Sequence, residues 1–320
     1  MNQKVSKRIL VTGATGQIGS ELTAELRKRY GGDNVVATGH KRKPSPEMLN
    51  AGPFEYIDVT KATDIFQVVD KYGVGAIYHL ASILSAEGEK DTSLTWNTNL
   101  MGLFNVLEAA RIREIRVFWP SSIAVFGPEV PRINTPQETI LIPLSMYGVT
   151  KVAGELLCNY YFNRYGLDVR CIRFPGIISL DVLPSGGTTD YAAAMLYEAI
   201  KNRRYTCFVR RDTVLPMMYM PDCIKAEIML MEANPSRIKH RTGYNVSAMS
   251  FSAGELEEEI RKYIPEFKCE FKPDFRQKIA DTWPMLLDDR LAREEWNWKP
   301  DYDLSSMVKD IMEKMLYSNQ

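Results

Sequence analysis

The sequence predicts a doubly wound α/β fold: a parallel sheet with helices on both faces, and a smaller α+β lobe built by the C-terminal half. Three observations carry this reading of the 320 residues. Short apolar runs alternate with longer amphipathic ones through the first half. A glycine-rich turn joins the first apolar run to the first amphipathic one. After Phe174 the elements shorten, and Pro175, Gly176, Pro184, Gly186 and Gly187 punctuate the chain. Strands that alternate with helices need crossovers, and crossovers make a sheet parallel.

Taken in order, residues 8–12 read as a buried strand and 18–30 as a helix, with Ile18, Leu22 and Leu26 on one face. Strands follow at 34–38 and 54–58, a helix at 64–72, and a strand at 76–80. A long helix at 94–113 leads to a strand at 116–120. A second long helix at 147–165 leads to a strand at 168–174. The later half predicts helices near 191–201, 222–232, 252–263 and 304–316. The expected division is a dinucleotide-binding domain over 1–175 and a closely packed lobe over 176–320, part of which returns to the first domain. Sheets of this kind bind ligands at the carboxyl ends of their strands.

Composition narrows the partners. Forty basic residues cancel forty acidic ones, so no strong field draws the protein to nucleic acid or to an anionic membrane. The first seven residues are polar and lack an apolar leader, and no apolar run is long enough to span a bilayer. Cys158, Cys171, Cys207, Cys223 and Cys269 are scattered and odd in number, and His40, His79 and His240 lie far apart. The expectation is a cytoplasmic protein with reduced thiols and no metal site.

The first strand runs into Gly13-Ala14-Thr15-Gly16-Gln17-Ile18-Gly19 and then directly into a helix. Glycines here let the backbone approach a pyrophosphate, while the helix N-terminus offers free N–H groups and a positive dipole. The setting between strand and helix is that of a Rossmann-type dinucleotide loop, with Gly13, Gly16, Gln17, Ile18 and Gly19 as contacts. A carboxylate is expected at the end of the second strand, where it would bond the ribose hydroxyls and repel a 2′-phosphate. That end reads Gly39-His40-Lys41-Arg42-Lys43 instead. NAD is the expected cofactor. Without the acid, NADP stays open, with His40 and Lys41 at hand, and so does a merely solvated basic loop.

Tyr147-Gly148-Val149-Thr150-Lys151 opens the second long helix. Residues four apart share a helix face, so the phenol and the ammonium can converge. A tyrosine acting as a base near neutrality needs its pKa of about 10 lowered by about three units, roughly 4 kcal/mol. A nearby ammonium has the right sign. The spacing alone arises by chance in many helices. Here Ser121 and Ser122 end the preceding strand and bring hydroxyls to the same sheet edge.

The G-x-x-G-x-x-G spacing together with Y-x-x-x-K resembles the extended branch of the short-chain dehydrogenase/reductases. The resemblance implies roles by position. A Ser or Thr four residues before the aromatic of Ser122-Ile123-Ala124-Val125-Phe126 holds the reacting oxygen, which points to Ser122. Asn99 is similar to the superfamily's structural and proton-relay asparagine. Asp58 and Val59 match the adenine contact; Leu80, Ala81 and Ser82 match the loop beside the ribose. Pro175 and Ile177 look like the segment against nicotinamide.

Further segments resemble the short-chain-type L-threonine 3-dehydrogenases along nearly the whole chain. They are 120–128, 146–151, 186–192, 218–222 and 281–284. That resemblance implies oxidation of the β-hydroxyl of L-threonine to 2-amino-3-oxobutyrate. Tyr147 would be the base, Lys151 its support and ribose ligand, and Ser122 the hydroxyl-orienting group. Ser85, Ser121, Thr188, Thr189 and Trp283 would lie near the amino acid. Thr188 and Thr189 read equally as an N-cap for the helix at 191, and Trp283 as core. A nucleotide-sugar epimerase or dehydratase of the same branch is the alternative, with Arg203, Arg204, Arg210 and Arg211 as candidates for a second diphosphate. A cofactor-sensing protein without catalysis is a third reading, disfavoured by the intact Tyr147 and Lys151. The expected partner is a small amino acid. Assembly stays open between homodimer and monomer.

Overall fold

The computed structural model describes residues 8–179 and 187–317. Pro184 and Gly186 of the expected turn-rich stretch lie outside the described residues, as does the polar stretch 1–7.

Seven strands form one wholly parallel sheet in the order β10-β6-β5-β4-β1-β2-β3. They are β1 (Arg8–Thr12), β2 (Val35–Gly39), β3 (Phe54–Tyr56), β4 (Val74–His79), β5 (Arg116–Ser122), β6 (Val169–Phe174) and, from the later half, β10 (Gly243–Asn245). Between β6 and β10 lie β7 (Gly176–Ile178), β8 (Arg204–Cys207) and β9 (Val214–Tyr219); β11 (Met249–Ser252) and β12 (Lys268–Phe271) follow. β7, β9 and β11 make a small mixed sheet, and β8 pairs with β12 in parallel. Strand order reverses at β1, which lies between β2 and β4. A crevice opens at such a switch point.

The first-half helices are α1 (Gln17–Tyr30), α2 (Pro46–Asn50), α3 (Ala62–Tyr72), α4 (Ser85–Gly88), α5 (Thr92–Trp96), α6 (Gly102–Arg113) and α7 (Met146–Tyr165). The later ones are α8 (Tyr191–Asn202), α9 (Met220–Glu232), α10 (Ala253–Arg261), α11 (Phe275–Ala280), α12 (Arg290–Trp296) and α13 (Leu304–Tyr317). One apolar cluster packs α3, α6 and α7 on one face of the sheet. A second places α1, α9 and α12 on the other. A third, with Leu196, Met217, Phe251 and Met307, is the core of the C-terminal lobe.

The helix expected over 94–113 is divided. Asp91 caps α5 by accepting from Leu94 N at 2.9 Å. Asn97–Met101 then widens into a π turn before α6 begins. Such turns re-aim single side chains, and here the side chain is that of Asn99. The sequence predicts none of the six strands after Phe174. β8, β11 and β12 do alternate polar and apolar residues, but over four residues each, too short a run to stand out as a period; β7, β9 and β10 are mostly buried and carry no alternation.

Candidate active site

Gly13 adopts φ +71°, a left-handed conformation, and a Cβ there would come within 2.7 Å of Ala81 N. A Cβ on Gly19 would reach 2.2 Å from the Gly13 carbonyl. Only glycine lets α1 start this close to β1 and β4. The N-terminus of α1 has no side-chain cap, so its N–H groups face the cleft as a ready anion site. These features fit the pyrophosphate of a dinucleotide.

Helix α7 brings the candidate base to the same edge. Ser145 caps it, accepting from Gly148 N at 3.1 Å, and Gly166 ends it in the left-handed conformation. Gly148 packs on the Ala124 carbonyl and Gly154 on the Trp119 ring, where a Cβ would lie 2.3 and 2.2 Å away. The missing side chains seat the helix directly on β5 and the turn after it. One turn beyond Lys151, Glu155 forms a buried ion pair with Arg173 of β6 at 2.7 Å. Arg173 also donates to Gln137 O and Asn245 Oδ1. A buried pair with its hydrogen bonds filled pins α7 to β6; breaking such a pair typically costs about 3–5 kcal/mol.

Tyr147 and Ser122 border the cleft together. Burial pushes the Tyr147 phenol up to about 12, and the nearby Ser122 hydroxyl, which favours the phenolate, opposes that shift. Lys151 is buried, and burial lowers its ammonium to about 8. Its Nζ donates to Pro120 O at 2.6 Å and lies 5.3 Å from the centre of the Tyr147 ring. The protein alone therefore holds Tyr147 as a neutral phenol. A further positive charge beside it is needed to make a base near neutrality.

A cleft of about 770 Å³ joins these parts. Gly13, Gly16, Gln17, Ile18, Gly19, Leu80 and Ser82 line one end. Ser122, Tyr147, Lys151, Pro175 and Ile177 line the middle, and Ser85, Ser121, Thr188, Thr189 and Trp283 also border it. Thr188 is 1% exposed and its Oγ1 has no hydrogen-bond partner among the described residues. A buried hydroxyl left open on a cleft wall suits a polar ligand.

Several expected residues sit differently. His40 and Lys41 do not line the cleft, whereas Arg42 does. The loop after β2 turns outward through Gly39, so the third basic residue rather than the first two faces in. Asp58 and Val59 are also off the cleft wall. Asp58 accepts from Thr60 N and Oγ1 at 3.0 and 2.7 Å, and the Val59 carbonyl accepts from Asn105. Ala81 does not border the cleft, because it packs under Gly13. Asn99 is buried behind the wall; it bonds both backbone groups of Ile83, at 2.7 and 3.0 Å, and Thr150 Oγ1 at 3.3 Å. Its place in the structure is to hold the loop after β4 against α7. Ser121 spends its hydroxyl on Glu155 at 2.6 Å. Thr188 and Thr189 do not cap α8, whose N-cap is Asp190 with no side-chain cap bond.

The sequence profile of the NAD dependent epimerase/dehydratase family matches residues 9–247. The chain belongs to that family. A Staphylococcus aureus (strain MRSA252) protein described as an uncharacterized epimerase/dehydratase is 47% identical over 308 residues, 96% of each chain. A solved L-threonine dehydrogenase from Clostridium difficile superposes with a TM-score of 0.95 at 48% identity, covering 98% of both chains. One from Phytophthora infestans gives 0.93 at 48% identity, covering 98% of this chain and 100% of that one.

Family membership leaves the four C-terminal arginines to be placed. Arg203 pairs with Glu266, Arg210 with Asp281, and Arg211 with Glu257 and Glu258. None of these, nor Arg204, lines the cleft. Sequence reasoning missed Arg42, Gly176 and Asp190 as cleft residues. Arg42 was visible only as one of four adjacent basic residues. Gly176 is required because a Cβ would meet Met217 Sδ at 2.4 Å and Thr189 at 2.7 Å, a contact across segments that no local pattern announces. Among the described residues no group of His, Cys, Asp or Glu could hold a metal, and no helix is long and apolar enough to cross a membrane.

Proposed function

We propose that the protein oxidises the β-hydroxyl of L-threonine to 2-amino-3-oxobutyrate, passing hydride to a nicotinamide dinucleotide. The observation that carries the reaction class is the convergence of Ser122, Tyr147 and Lys151 on the wall of the cleft that begins at the glycine loop. The substrate rests on the likeness to the threonine dehydrogenases, which runs the length of the chain.

The nicotinamide, when bound, supplies the hydride acceptor. Gly13, Gly16, Gln17, Ile18 and Gly19 would hold the pyrophosphate, Leu80 and Ser82 the ribose, and Pro175 and Ile177 the ring. Ser122 presents its hydroxyl to the substrate oxygen and fixes the Tyr147 phenol beside it. Tyr147 takes the hydroxyl proton as the β-carbon loses hydride. Lys151 keeps a positive charge under the ring, held in place by Pro120 O, so that the developing phenolate is favoured. Asn99 positions the loop carrying Ser85 rather than touching the substrate. Thr188 and Thr189 offer hydroxyls to the zwitterion, and Trp283 closes the wall.

Arg203, Arg210 and Arg211 pair with carboxylates, and neither they nor Arg204 line the cleft, which favours the threonine reading over the nucleotide-sugar one. The test is reduced-nicotinamide absorbance with L-threonine as substrate. Stoichiometric reduction is expected. Folded protein that reduces neither dinucleotide with threonine would overturn the proposal.

A further inference from the structure

The adenosine end of the cleft carries a charge pattern that threonine oxidation does not require. β2 ends at Gly39, and His40, Lys41, Arg42 and Lys43 follow it, all exposed. Arg42 lines the same cleft as Gly13, Gly16 and Gln17. Among the described residues Lys41, Arg42 and Lys43 form no ion pair. Asp58 is the carboxylate that faces this loop, 3.9 Å from His40 Nε2 and 3.9 Å from Lys61 Nζ. It is already engaged by Thr60. Glu47, in the first turn of α2, is turned to the Ser45 hydroxyl.

An acid at the end of the second strand would accept bonds from the ribose hydroxyls and repel a phosphate there. At Gly39 there is no side chain, and one would press on its neighbours. A Cβ would lie 3.0 Å from Phe54 Cζ and 3.0 Å from Thr15 Cγ2. The adenosine end thus has no carboxylate at the strand end and an unpaired guanidinium in the cleft wall. A guanidinium is a planar fork that matches phosphate oxygens two at a time.

We propose that Gly39 and Arg42 make this end of the cleft a receptor for a 2′-phosphorylated adenosine, so that the protein binds NADP at least as tightly as NAD. The inference rests on the dinucleotide reading of the cleft and is independent of threonine as substrate.

Calorimetric titration of the substrate-free protein tests it, with NADP+, NAD+ and the fragments 2′,5′-ADP and 5′-AMP as probes. NADP+ is expected to bind as tightly as NAD+ or tighter, 2′,5′-ADP tighter than 5′-AMP, and added salt should weaken the phosphorylated member of each pair more. Arg42→Ala is expected to raise the ratio of the NADP+ to the NAD+ dissociation constant about tenfold. Gly39→Asp is expected to reverse the preference; Phe54→Leu added to it relieves the crowding if the single variant folds poorly. Wild-type protein that binds NAD+ more than about tenfold tighter than NADP+, or an Arg42→Ala variant with an unaltered ratio, would overturn the proposal. Binding of neither dinucleotide would overturn it together with the cofactor reading. NADP+ binding with no threonine turnover would support it and count only against the substrate.

Discussion

At the scale of single residues, Tyr147 and His79 are both held neutral by burial, with opposite consequences. Tyr147 must lose its proton to work, and burial pushes the phenol to about 12. Tyr147→Phe is expected to lower kcat by about 10²- to 10⁴-fold, the usual worth of a positioned base. Calorimetry should find dinucleotide affinity retained; a wild-type rate would remove Tyr147 from the mechanism. His79 ends β4, is fully buried, and shares a 2.7 Å hydrogen bond with Thr12. Burial, helped by Lys151 nearby, lowers it to about 3. The unfolded chain takes up that proton near pH 6.5 and the folded chain does not. His79 thus stabilises the fold fully above about pH 6.5, and the contribution is lost as pH falls toward 3. The total at stake is at most about 4–5 kcal/mol. Urea unfolding measured across this window should show a steep fall for the wild type and a shallower one for His79→Gln. Parallel slopes would show that His79 plays no part in acid sensitivity.

At the scale of elements, the position of α7 decides whether the site exists. Glycine inside a helix costs about 1 kcal/mol relative to alanine, so Gly154→Ala would help an isolated α7. Here the added methyl would fall 2.2 Å from Trp119 Cη2 in a closed interior. Overpacking typically costs about 1–3 kcal/mol, and it outweighs the gain in propensity. Gly154→Ala is therefore expected to lower the urea midpoint and to reduce kcat/KM as Tyr147 and Lys151 shift. A variant of unchanged stability would mean that α7 can move off β5 freely.

At the scale of the whole molecule, large apolar side chains are exposed on α7 and on the helical segment beside it. Leu156 and Tyr160 lie four apart on α7 and are 61% and 52% exposed. Met101 and Phe104 are also exposed on the neighbouring helical segment, with Phe104 edge-on to Tyr161. Exposed apolar side chains gathered on one helical face are the kind of surface through which chains associate, and the oligomeric state tests it here. Sedimentation is expected to show a dimer that Leu156→Glu converts to monomer without loss of fold. A wild-type protein that sediments as a monomer throughout would refute the assignment.

What the sequence determined by itself is local. The alternation of strands and helices in the first half, the glycine turn into α1, and the Tyr147–Lys151 pair follow from the 3.6-residue period and from backbone needs that act within a few residues. Tertiary structure decided which groups meet. Ser122 lies beside Tyr147, and its neighbour Ser121 is turned to Glu155, because successive residues of β5 point to opposite faces of the sheet. Asn99 holds Ile83 because a π turn rotates it inward. Arg42 rather than His40 lines the cleft, and Gly39 is packed against Phe54 and Thr15, which would have to shift by a few tenths of an ångström to admit a side chain. The short later strands belong to the same class, since runs of three to six residues are too brief for a period to mark them and only their pairing across the lobe makes them strands. The physical reason is common to all of these. Periodicity and φ preference are encoded in neighbouring residues, whereas the approach of distant segments is set by sheet register and by helices seated on glycines.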